Sequence, residues 1–287
     1  MERSLIGILG ASGKVGQLVC DYLVRNTGYI VKAGYRKTIP FLFNGRLRWQ
    51  FVDIQDKQKL FEFCRDCKII INCIGSSRNI NLNLAFMAHE VGAIYIDTYG
   101  TGKLKKELVN RDIVNSGCYI LGAGVYPGLT GIAMNYLVKK YPSIKKWKGM
   151  AGSYEPIGAG AAEDLLYSCL YGFGIENAYW KHGQIKVPKR KEIEEIYIPQ
   201  LQKTKNIALF LPDEILQIAK ENDLETIRWY NILPNKEHMA IMKKAYQKLL
   251  QRKDIATEIQ EFEEITRKST EHWNILSFNS DDAEVGQ

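Results

Sequence analysis

The stretch Leu5-Ile-Gly-Ile-Leu-Gly-Ala-Ser-Gly-Lys-Val-Gly16 decides the fold of this chain. Its apolar first half predicts a buried strand, and the apolar positions from Val15 to Leu23 repeat at helical spacing. Three glycines, each three positions from the next, lie between the two patterns. A strand that turns tightly into a helix leaves backbone N–H groups and the positive end of the helix dipole free, which suits a diphosphate.

The three glycines have separate roles in this prediction. Gly10 makes the turn, Gly13 lets the backbone approach the phosphates, and Gly16 lets the helix pack closely on the strand. The spacing GxxGxxG is a variant of the usual GxGxxG, and it gains weight from the strand and the helix on either side. We therefore predict a dinucleotide site at this turn. The other residues of the turn that we assign to the site are Ser12, Lys14 and Val15.

The second predicted strand, Ile30–Tyr35, indicates which dinucleotide binds. It ends in Arg36 and Lys37, and Arg36 lies twenty residues after Gly16. A site for NAD places Asp or Glu here, where the carboxylate accepts hydrogen bonds from the ribose 2′-hydroxyl. Two cations favour a 2′-phosphate instead, through charge-assisted hydrogen bonds and Arg stacking on adenine. We predict NADP(H) as the cofactor and assign Tyr35, Arg36 and Lys37 to its site.

Composition and charge argue against several other classes of protein. The chain has 287 residues, of which 46% are hydrophobic and 25% charged, as in a globular protein. The net charge of +7 is spread along the chain among acids, so we expect no nucleic-acid partner. No apolar run is long enough to cross a membrane, and no signal-type segment precedes the first strand, so we expect no membrane partner and a cytoplasmic location. Six cysteines in helix and strand patterns predict reduced thiols and no metal site.

Alternating strand and helix patterns predict the fold class of residues 1–146. They are typical of an α/β protein with a Rossmann-like doubly wound parallel sheet of six strands. Residues 147–276 lose the alternation, and we expect a smaller α+β substrate region there. We place a hairpin around His182-Gly183 in it, and only helices from Leu211 onward. The acidic segment 277–287 is predicted to be disordered.

Six short motifs together resemble the saccharopine dehydrogenase-like NADP-binding reductases, of the secondary-metabolite type rather than true saccharopine reductase. The resemblance covers roughly residues 4–185, and the last two motifs and the end of the fourth strand are the most specific. The motifs are Gly10–Gly16, Gly34-Tyr-Arg-Lys37, Val52-Asp-Ile-Gln-Asp56, Asn72-Cys-Ile-Gly75, Tyr95-Ile-Asp-Thr98 and Gly122-Ala-Gly-Val-Tyr-Pro-Gly-Leu-Thr-Gly131.

The resemblance implies further cofactor contacts. Asp53 is expected to bond the adenine edge and Ile54 to pack on it. The residues expected to line the nicotinamide ribose are Cys73, Ile74, Gly75 and Ser76. One position departs from the family, because the saccharopine reductases carry Asp where this chain has Tyr126. That difference argues against the amino-acid substrate of saccharopine reductase.

The candidate catalytic residues follow the carboxyl ends of the predicted strands, where a doubly wound sheet binds its ligand. Tyr99 and Tyr126 either donate a proton to the reduced bond or form the wall of the pocket. Asp97 is either catalytic or a structural hydrogen-bond acceptor at the end of its strand. Ser76 to Arg78 lie in the same region by this interpretation.

Two hypotheses for the function follow. The first is an NADPH-dependent oxidoreductase that reduces a C=N bond, imine or thiazoline-type, of a small or carrier-bound biosynthetic intermediate; reduction of C=C or C=O stays open. The second is a regulatory or scaffold protein that binds NADP(H) without chemistry. A homodimer or a partner protein that completes the substrate region is left open by the sequence.

The two cations predict the cofactor preference. NADPH should bind more tightly than NADH, and the double change Arg36→Asp with Lys37→Ala should narrow or reverse the preference. Loss of a charge-assisted hydrogen bond to the phosphate should cost about 1.5–3 kcal/mol for each bond. Titration of the unmodified and changed proteins with both cofactors measures this, and equal affinity of the unmodified protein for the two would contradict it.

Overall fold

The structure, a computed structural model, describes residues 5–40, 45–75, 81–100, 103–171 and 173–280. The chain divides into two compact units, Met1–Gly124 and Val125–Gln287. The elements of the first unit are β1 (Leu5–Leu9), α1 (Lys14–Asn26), β2 (Ile30–Tyr35), β3 (Leu47–Phe51), α2 (Lys57–Cys64), β4 (Ile69–Asn72), α3 (Asn81–Glu90), β5 (Ile94–Asp97), α4 (Lys103–Asn110) and β6 (Tyr119–Leu121).

The strands of the first unit form one parallel sheet in the order β3-β2-β1-β4-β5-β6. Strand β1 is central, since Ile8 lies opposite Ala33 of β2 on one side and Ile71 of β4 on the other. The order runs outward from β1 in both directions, which confirms the predicted Rossmann-like doubly wound sheet. All six strands therefore end at the same edge, where β1, β2, β4 and β5 lead into predicted site residues.

Apolar side chains on both faces of this sheet explain why its central strands β1 and β4 are hydrophobic runs. On one face, Ile8 and Val31 are fully buried and pack with Cys20 of α1. On the other face, Ile70 and Phe63 belong to a second cluster formed with α2, α3 and α4. Burial of this kind contributes about 25 cal/mol for each Å² of apolar surface removed from water.

The second unit is an α+β arrangement built on a mixed sheet. The elements of this unit are α5 (Leu129–Lys140), β7 (Lys146–Tyr154), α6 (Ala159–Tyr171), β8 (Gly174–Glu176), β9 (Tyr179–Lys181), β10 (Gln184–Lys186), β11 (Ile193–Ile198), β12 (Lys203–Pro212), α7 (Asp213–Glu221), β13 (Thr226–Ile232), α8 (Lys236–Leu250), α9 (Ala256–Lys268) and β14 (Trp273–Ser280). Strands β7 and β13 are parallel neighbours, and β13 also pairs antiparallel with β9 and β12. The hairpin predicted around His182-Gly183 is confirmed as β9 and β10.

The prediction of helices alone after Leu211 is wrong, because two strands interrupt them. Helix α7 begins at Asp213, directly after Pro212, and residues 239–250 lie in α8, so helices do occur in this part of the chain. Strand β13, however, lies between them, and β14 follows α9. Strand β13 is covered on both faces, so Trp229 and Tyr230 are buried side by side and the sequence lacks the alternation of a half-buried strand.

The predicted disordered tail begins too early. Residues 277–280 continue β14, where Ser277 lies opposite Met150 and Ser280 opposite Trp147 of β7. Small polar residues are tolerated there because β14 is an edge strand that pairs only with β7 among the strands described. The rest of the predicted tail, 281–287, lies outside the described residues.

The division into units also differs from the predicted boundary at 146. Helix α5 follows the first sheet in sequence, but it contacts α7, and Met134 and Val138 belong to a core cluster with Trp229. The second unit, which includes α5 and β14, is therefore the longer of the two.

A chain of polar side chains connects the end of β7 to the start of α8 in the second unit. The Tyr154 hydroxyl donates to Nε2 of His238 at 3.1 Å. The side-chain oxygen of Asn235, the residue before α8, accepts both the backbone N–H of His238 at 3.1 Å and its ring Nδ1–H at 2.5 Å. These bonds satisfy neutral His238, which is 1% exposed, and a second ring proton would require the Tyr154 hydroxyl to turn from donor to acceptor.

This arrangement predicts a pH dependence of folding. Burial lowers the pKa of His238 below its ordinary value of 6.5, with a smaller opposing effect of Glu237. A lowered folded-state pKa gives stability that is fully present above about pH 6.5 and is lost as the pH falls toward the folded-state pKa. One group contributes at most about 1.4 kcal/mol per pH unit.

Urea unfolding followed by Trp fluorescence between pH 7.5 and 5.5 measures this, because four of the five tryptophans lie in the second unit. His238→Gln should flatten the fall in unfolding free energy, whereas His272→Gln, the same change at an exposed histidine, should not. An unchanged slope in His238→Gln would contradict the assignment.

Candidate functional site

The turn between β1 and α1 has the geometry that the glycine spacing predicts. Gly10 has φ +77°, a conformation that L side chains rarely adopt, and its carbonyl accepts the N–H of Gly13 at 3.0 Å. A Cβ on Gly16 would lie on the Gly10 carbonyl and on Cα of Ala11. The first glycine therefore makes the turn, and the third lets α1 lie directly on it.

The middle glycine faces open space. Gly13 is exposed, and a Cβ there would meet only the Gly10 carbonyl, at 3.3 Å. Gly13 is also the N-cap of α1, no side chain caps the helix, and its first turn has no acidic residue. The 13-residue helix therefore presents its first N–H groups and its positive end beside a position with room for a phosphate. The exposed neighbours Lys14 and Val15 and the half-buried Ser12 complete this turn.

The end of β2 carries the predicted specificity residues. Arg36 and Lys37 are exposed, and neither forms an ion pair with any described residue. Tyr35, just before them, packs edge-on against Phe51 at the end of β3, with ring centroids 6.0 Å apart. Its carbonyl accepts the N–H of Val52 at 2.9 Å. This packing fixes the backbone that carries the two cations, and their charges are available to a phosphate.

The end of β4 touches the glycine turn, and the end of β3 lies at the same edge of the sheet. Asp53 is half-buried and accepts the backbone N–H of Gln55 at 3.1 Å through one carboxylate oxygen; Ile54 is half-buried beside it. A Cβ on Gly10 would lie 2.9 Å from the backbone of Cys73 and from Cγ1 of Ile74, so these residues touch the turn. Burial raises the pKa of the Cys73 thiol to about 12, so it is neutral. Gly75 is exposed at the end of this segment, and Ser76 to Arg78 lie outside the described residues.

Asp97 is the centre of a buried hydrogen-bond network at the end of β5. It is fully buried, and one carboxylate oxygen accepts from Asn72 at 3.0 Å and from the Tyr95 hydroxyl at 2.6 Å. The other oxygen accepts the backbone N–H groups of Tyr99 at 2.9 Å and of Gly100 at 2.7 Å. Both oxygens are thus engaged, which supports the structural role left open for Asp97. The same bonds fix the backbone at the half-buried Tyr99.

Sequence reasoning did not identify the roles of Asn72 and Tyr95 in this network. Asn72 also accepts the backbone N–H of Ile74 at 3.1 Å, so its side chain connects the β4 end to β5. The sequence signal for this role was Asn72 itself, a polar residue at the end of an otherwise apolar strand. A side-chain amide buried at such a position needs hydrogen-bond partners.

Tyr126 lies in the second unit, packed against an apolar core cluster. Its hydroxyl donates to the side-chain oxygen of Asn231 at 2.7 Å, and the edge of its ring packs on Phe173. The Trp229 indole N–H faces the same hydroxyl but makes no hydrogen bond of normal geometry with a described residue. Burial raises the pKa of Tyr126, and the carboxylate of Glu214 adds to the effect, so the phenol is neutral at pH 7.

Glu214 supports the turn that follows Tyr126, a role that the sequence did not indicate. Its carboxylate accepts the backbone N–H of Gly128 at 3.0 Å and the hydroxyl of Thr130, so it caps the N-terminus of α5 from the first turn of α7. A Cβ on Gly131 would lie 2.6 Å from this carboxylate, which explains why residue 131 is a glycine. The second unit therefore has a carboxylate beside Tyr126, but this carboxylate is engaged in hydrogen bonds at the start of α5.

The turn after β1 has the geometry of a dinucleotide site of Rossmann type. Residues 6–111 match the family described as "Saccharopine dehydrogenase NADP binding domain". The predicted resemblance to this NADP-binding family is confirmed, and so is the predicted cofactor, NADP(H). The match supports an oxidoreductase.

One solved structure has a similar fold over most of the chain, and others match about a third of it. Saccharopine dehydrogenase (L-Glu forming) from Saccharomyces cerevisiae is similar with a TM-score of 0.56 and 15% identity, over 90% of this chain and 67% of that one. A short-chain dehydrogenase/reductase from Veillonella parvula in complex with NADP matches 33% of this chain and 46% of its own, with 18% identity and a TM-score of 0.30. Uronate dehydrogenase from Agrobacterium tumefaciens matches 36% and 44%, with 17% identity and a TM-score of 0.30. The comparison with curated proteins found no match.

Two negative findings concern the described part of the chain. None of its helices is both long enough and apolar enough to cross a membrane. Its His, Cys, Asp and Glu side chains form no group of three that could hold a metal ion.

The open space at Gly13 predicts a selective loss of cofactor. Gly13→Val should abolish NADPH binding and leave the fold intact, since the side chain would occupy the place of the phosphate while its neighbours in the protein need shift little. Fluorescence titration with NADPH measures binding, and thermal unfolding checks the fold.

The matched control is Gly28→Val. Gly28 is exposed and precedes β2 at the opposite edge of the sheet, and a Cβ there would meet no atom within 4 Å. This variant should bind NADPH normally. Unchanged binding by Gly13→Val would show that the turn is not the diphosphate site.

Proposed function

We propose that the protein is an NADPH-dependent oxidoreductase that reduces a C=N bond, imine or thiazoline-type, of a small or carrier-bound biosynthetic intermediate. The observation that carries the proposal is the β1–α1 turn, where Gly10 has a left-handed conformation and Gly13 opens onto the uncapped start of α1. Five free thiols among the described residues suit a reducing, cytoplasmic compartment.

The chain's own residues supply binding and orientation in this proposal. The first N–H groups of α1 bind the diphosphate, and Arg36 and Lys37 bind the 2′-phosphate. Asp53 and Ile54 hold the adenine, and the Cys73 to Gly75 segment lies against the ribose. Bound NADPH supplies the hydride, and the protein has only to orient it and provide a proton.

The neutral phenol of Tyr126 supports a substrate that carries no amino group at this position. A carboxylate, as in saccharopine reductase, would form an ion pair with a cationic amine, whereas a neutral phenol can only form a hydrogen bond with it. Because burial raises the pKa of Tyr126, this phenol stays neutral over the whole physiological range. We therefore infer that saccharopine and similar amino-diacids are not substrates.

A second function, an NADP(H)-binding scaffold without chemistry, has its own support. The Tyr126 hydroxyl already donates its proton to Asn231, and both oxygens of Asp97 accept hydrogen bonds within the protein. Tyr126 and Asp97 are therefore engaged by their own fold. Turnover separates the functions, because only a reductase oxidises NADPH in the presence of a substrate.

NADPH oxidation, followed by its absorbance with a panel of cyclic imines and thiazolines, tests the proposal. We expect turnover with at least one imine and none with saccharopine and NADP⁺. Tight NADPH binding without turnover across the panel would favour the scaffold, and efficient oxidation of saccharopine would refute the substrate class.

Tyr126→Phe separates its two roles in the same assay. A loss of about 10²–10⁴ in rate would identify Tyr126 as the proton donor. We expect a change below about tenfold, because its proton is already donated to Asn231 and a pocket wall needs only the ring. Tyr136→Phe is the control, since this tyrosine is exposed on α5 and should leave the rate unchanged.

A further inference from the structure

One stretch of the second unit carries an unbalanced positive charge. Residues 181–191, the basic segment, contain five cations and no carboxylate. All five are exposed, and within the described ranges none of them forms an ion pair. The cations are Lys181, Lys186, Lys189, Arg190 and Lys191.

The basic segment is held in place by hydrogen bonds at its base. The side-chain amide of Asn177 donates to the carbonyls of Pro188 and Arg190, each at 3.1 Å, and its oxygen accepts the N–H of Glu192 at 2.8 Å. Asn177 itself has φ +51°, so its backbone is committed to this arrangement. One side chain thus fixes the loop that carries three consecutive cations, and the loop loses little conformational entropy when it binds a partner.

The hairpin part of the segment is anchored as well. The indole N–H of the buried Trp180 donates to the carbonyl of Leu224 at 2.9 Å, and the backbone N–H of His182 donates to that of Glu225 at 2.7 Å. Strand β10 pairs with β9 alone among the described strands, so it is the outer edge of the sheet at this end. The cations are therefore presented on a fixed edge.

Three nearby carboxylates do not compensate this charge, because other cations already hold them. Glu192 pairs with Arg228, and Glu194 pairs with Lys148 at 3.1 Å. Glu225 lies 3.6 Å from Lys146. Five like charges on a fixed edge repel one another without internal compensation, which is unfavourable for the folded protein by itself.

The composition of the segment favours a protein partner over nucleic acid or lipid. The exposed aliphatic side chains of Ile185 and Val187 lie among the cations, and residues 181–191 contain no Phe, Tyr or Trp on which a base could stack. The exposed carboxylate of Glu176 lies directly before Asn177, and exposed Glu195 follows the segment. These acids bound the run of cations on both sides, and a protein surface with carboxylates at matching positions complements such a pattern.

We propose that the basic segment is a docking surface for an acidic protein. It lies at the Thr226 end of β13, because Lys181 pairs with Thr226, whereas Tyr126 bonds to Asn231 near the other end of that strand. A partner bound at the Thr226 end of β13 does not cover Tyr126. The inference does not depend on the proposed reductase activity.

Charge reversal in the whole protein tests the proposal, with labelled poly-L-glutamate as the probe and fluorescence anisotropy as the readout. The triple variant K186E/K189E/R190E should weaken binding by about tenfold or more. The control K105E/K106E/K243E makes the same charge change at exposed lysines elsewhere and should weaken it by less than about twofold.

A third variant, Asn177→Gly, changes no charge and keeps the left-handed backbone, but removes the three hydrogen bonds that hold the loop. It should weaken binding by about threefold, because the loop must then be ordered on binding. NADPH affinity should be unchanged in all three variants, which separates this test from that of the proposed function.

Three results would overturn the proposal. Equal losses in the two triple variants would mean that the probe responds to net charge alone. Normal binding by Asn177→Gly would mean that the held loop has no part in recognition. Tighter binding of duplex DNA or of phosphatidylglycerol vesicles than of poly-L-glutamate, lost in K186E/K189E/R190E, would assign the surface to nucleic acid or membrane instead.

Discussion

The close contact between Gly16 and the Gly10 carbonyl is the constraint on which the first unit depends. It lets α1 begin directly on the turn after β1, and it aims the first N–H groups of the helix into the space beside Gly13. Any side chain at Gly16 would push the helix away from the sheet. The same turn touches the backbone of Cys73, so its position also fixes the end of the neighbouring strand β4. The contact between Gly16 and the Gly10 carbonyl is therefore required both for the geometry of the phosphate-binding turn and for the packing of α1 on the sheet.

Much of this unit could be predicted because its signals are local. The central strands are short apolar runs, and α1 has a clear helical period. Asp56 caps α2 by accepting the N–H of Lys59 at 3.1 Å within four residues. A parallel order then brings the carboxyl ends of all strands to one edge of the sheet. The location of Gly10, Arg36, Asp53 and Asp97 at that edge therefore follows from the predicted strands alone.

The second unit was less predictable because its structure depends on partners far apart in sequence. Tyr126 bonds to Asn231 across 105 positions, and β14 pairs with β7 through Ile275 opposite Gly152. Nothing in the neighbourhood of either residue indicates such a contact. Strand β13 was missed for the related reason that burial on both faces removes the alternation by which a strand is recognised.

The carboxylate of Glu214 has a consequence for the order in which the second unit forms. It caps α5 although 84 residues separate it from Thr130, so the start of that helix stays uncapped during synthesis until α7 has emerged. A ribosome that adds about 5–20 residues each second needs several seconds for this stretch. The nascent α5 is thus an incomplete helix over that time, and the contact that completes it is the kind of long-range closure that slows folding.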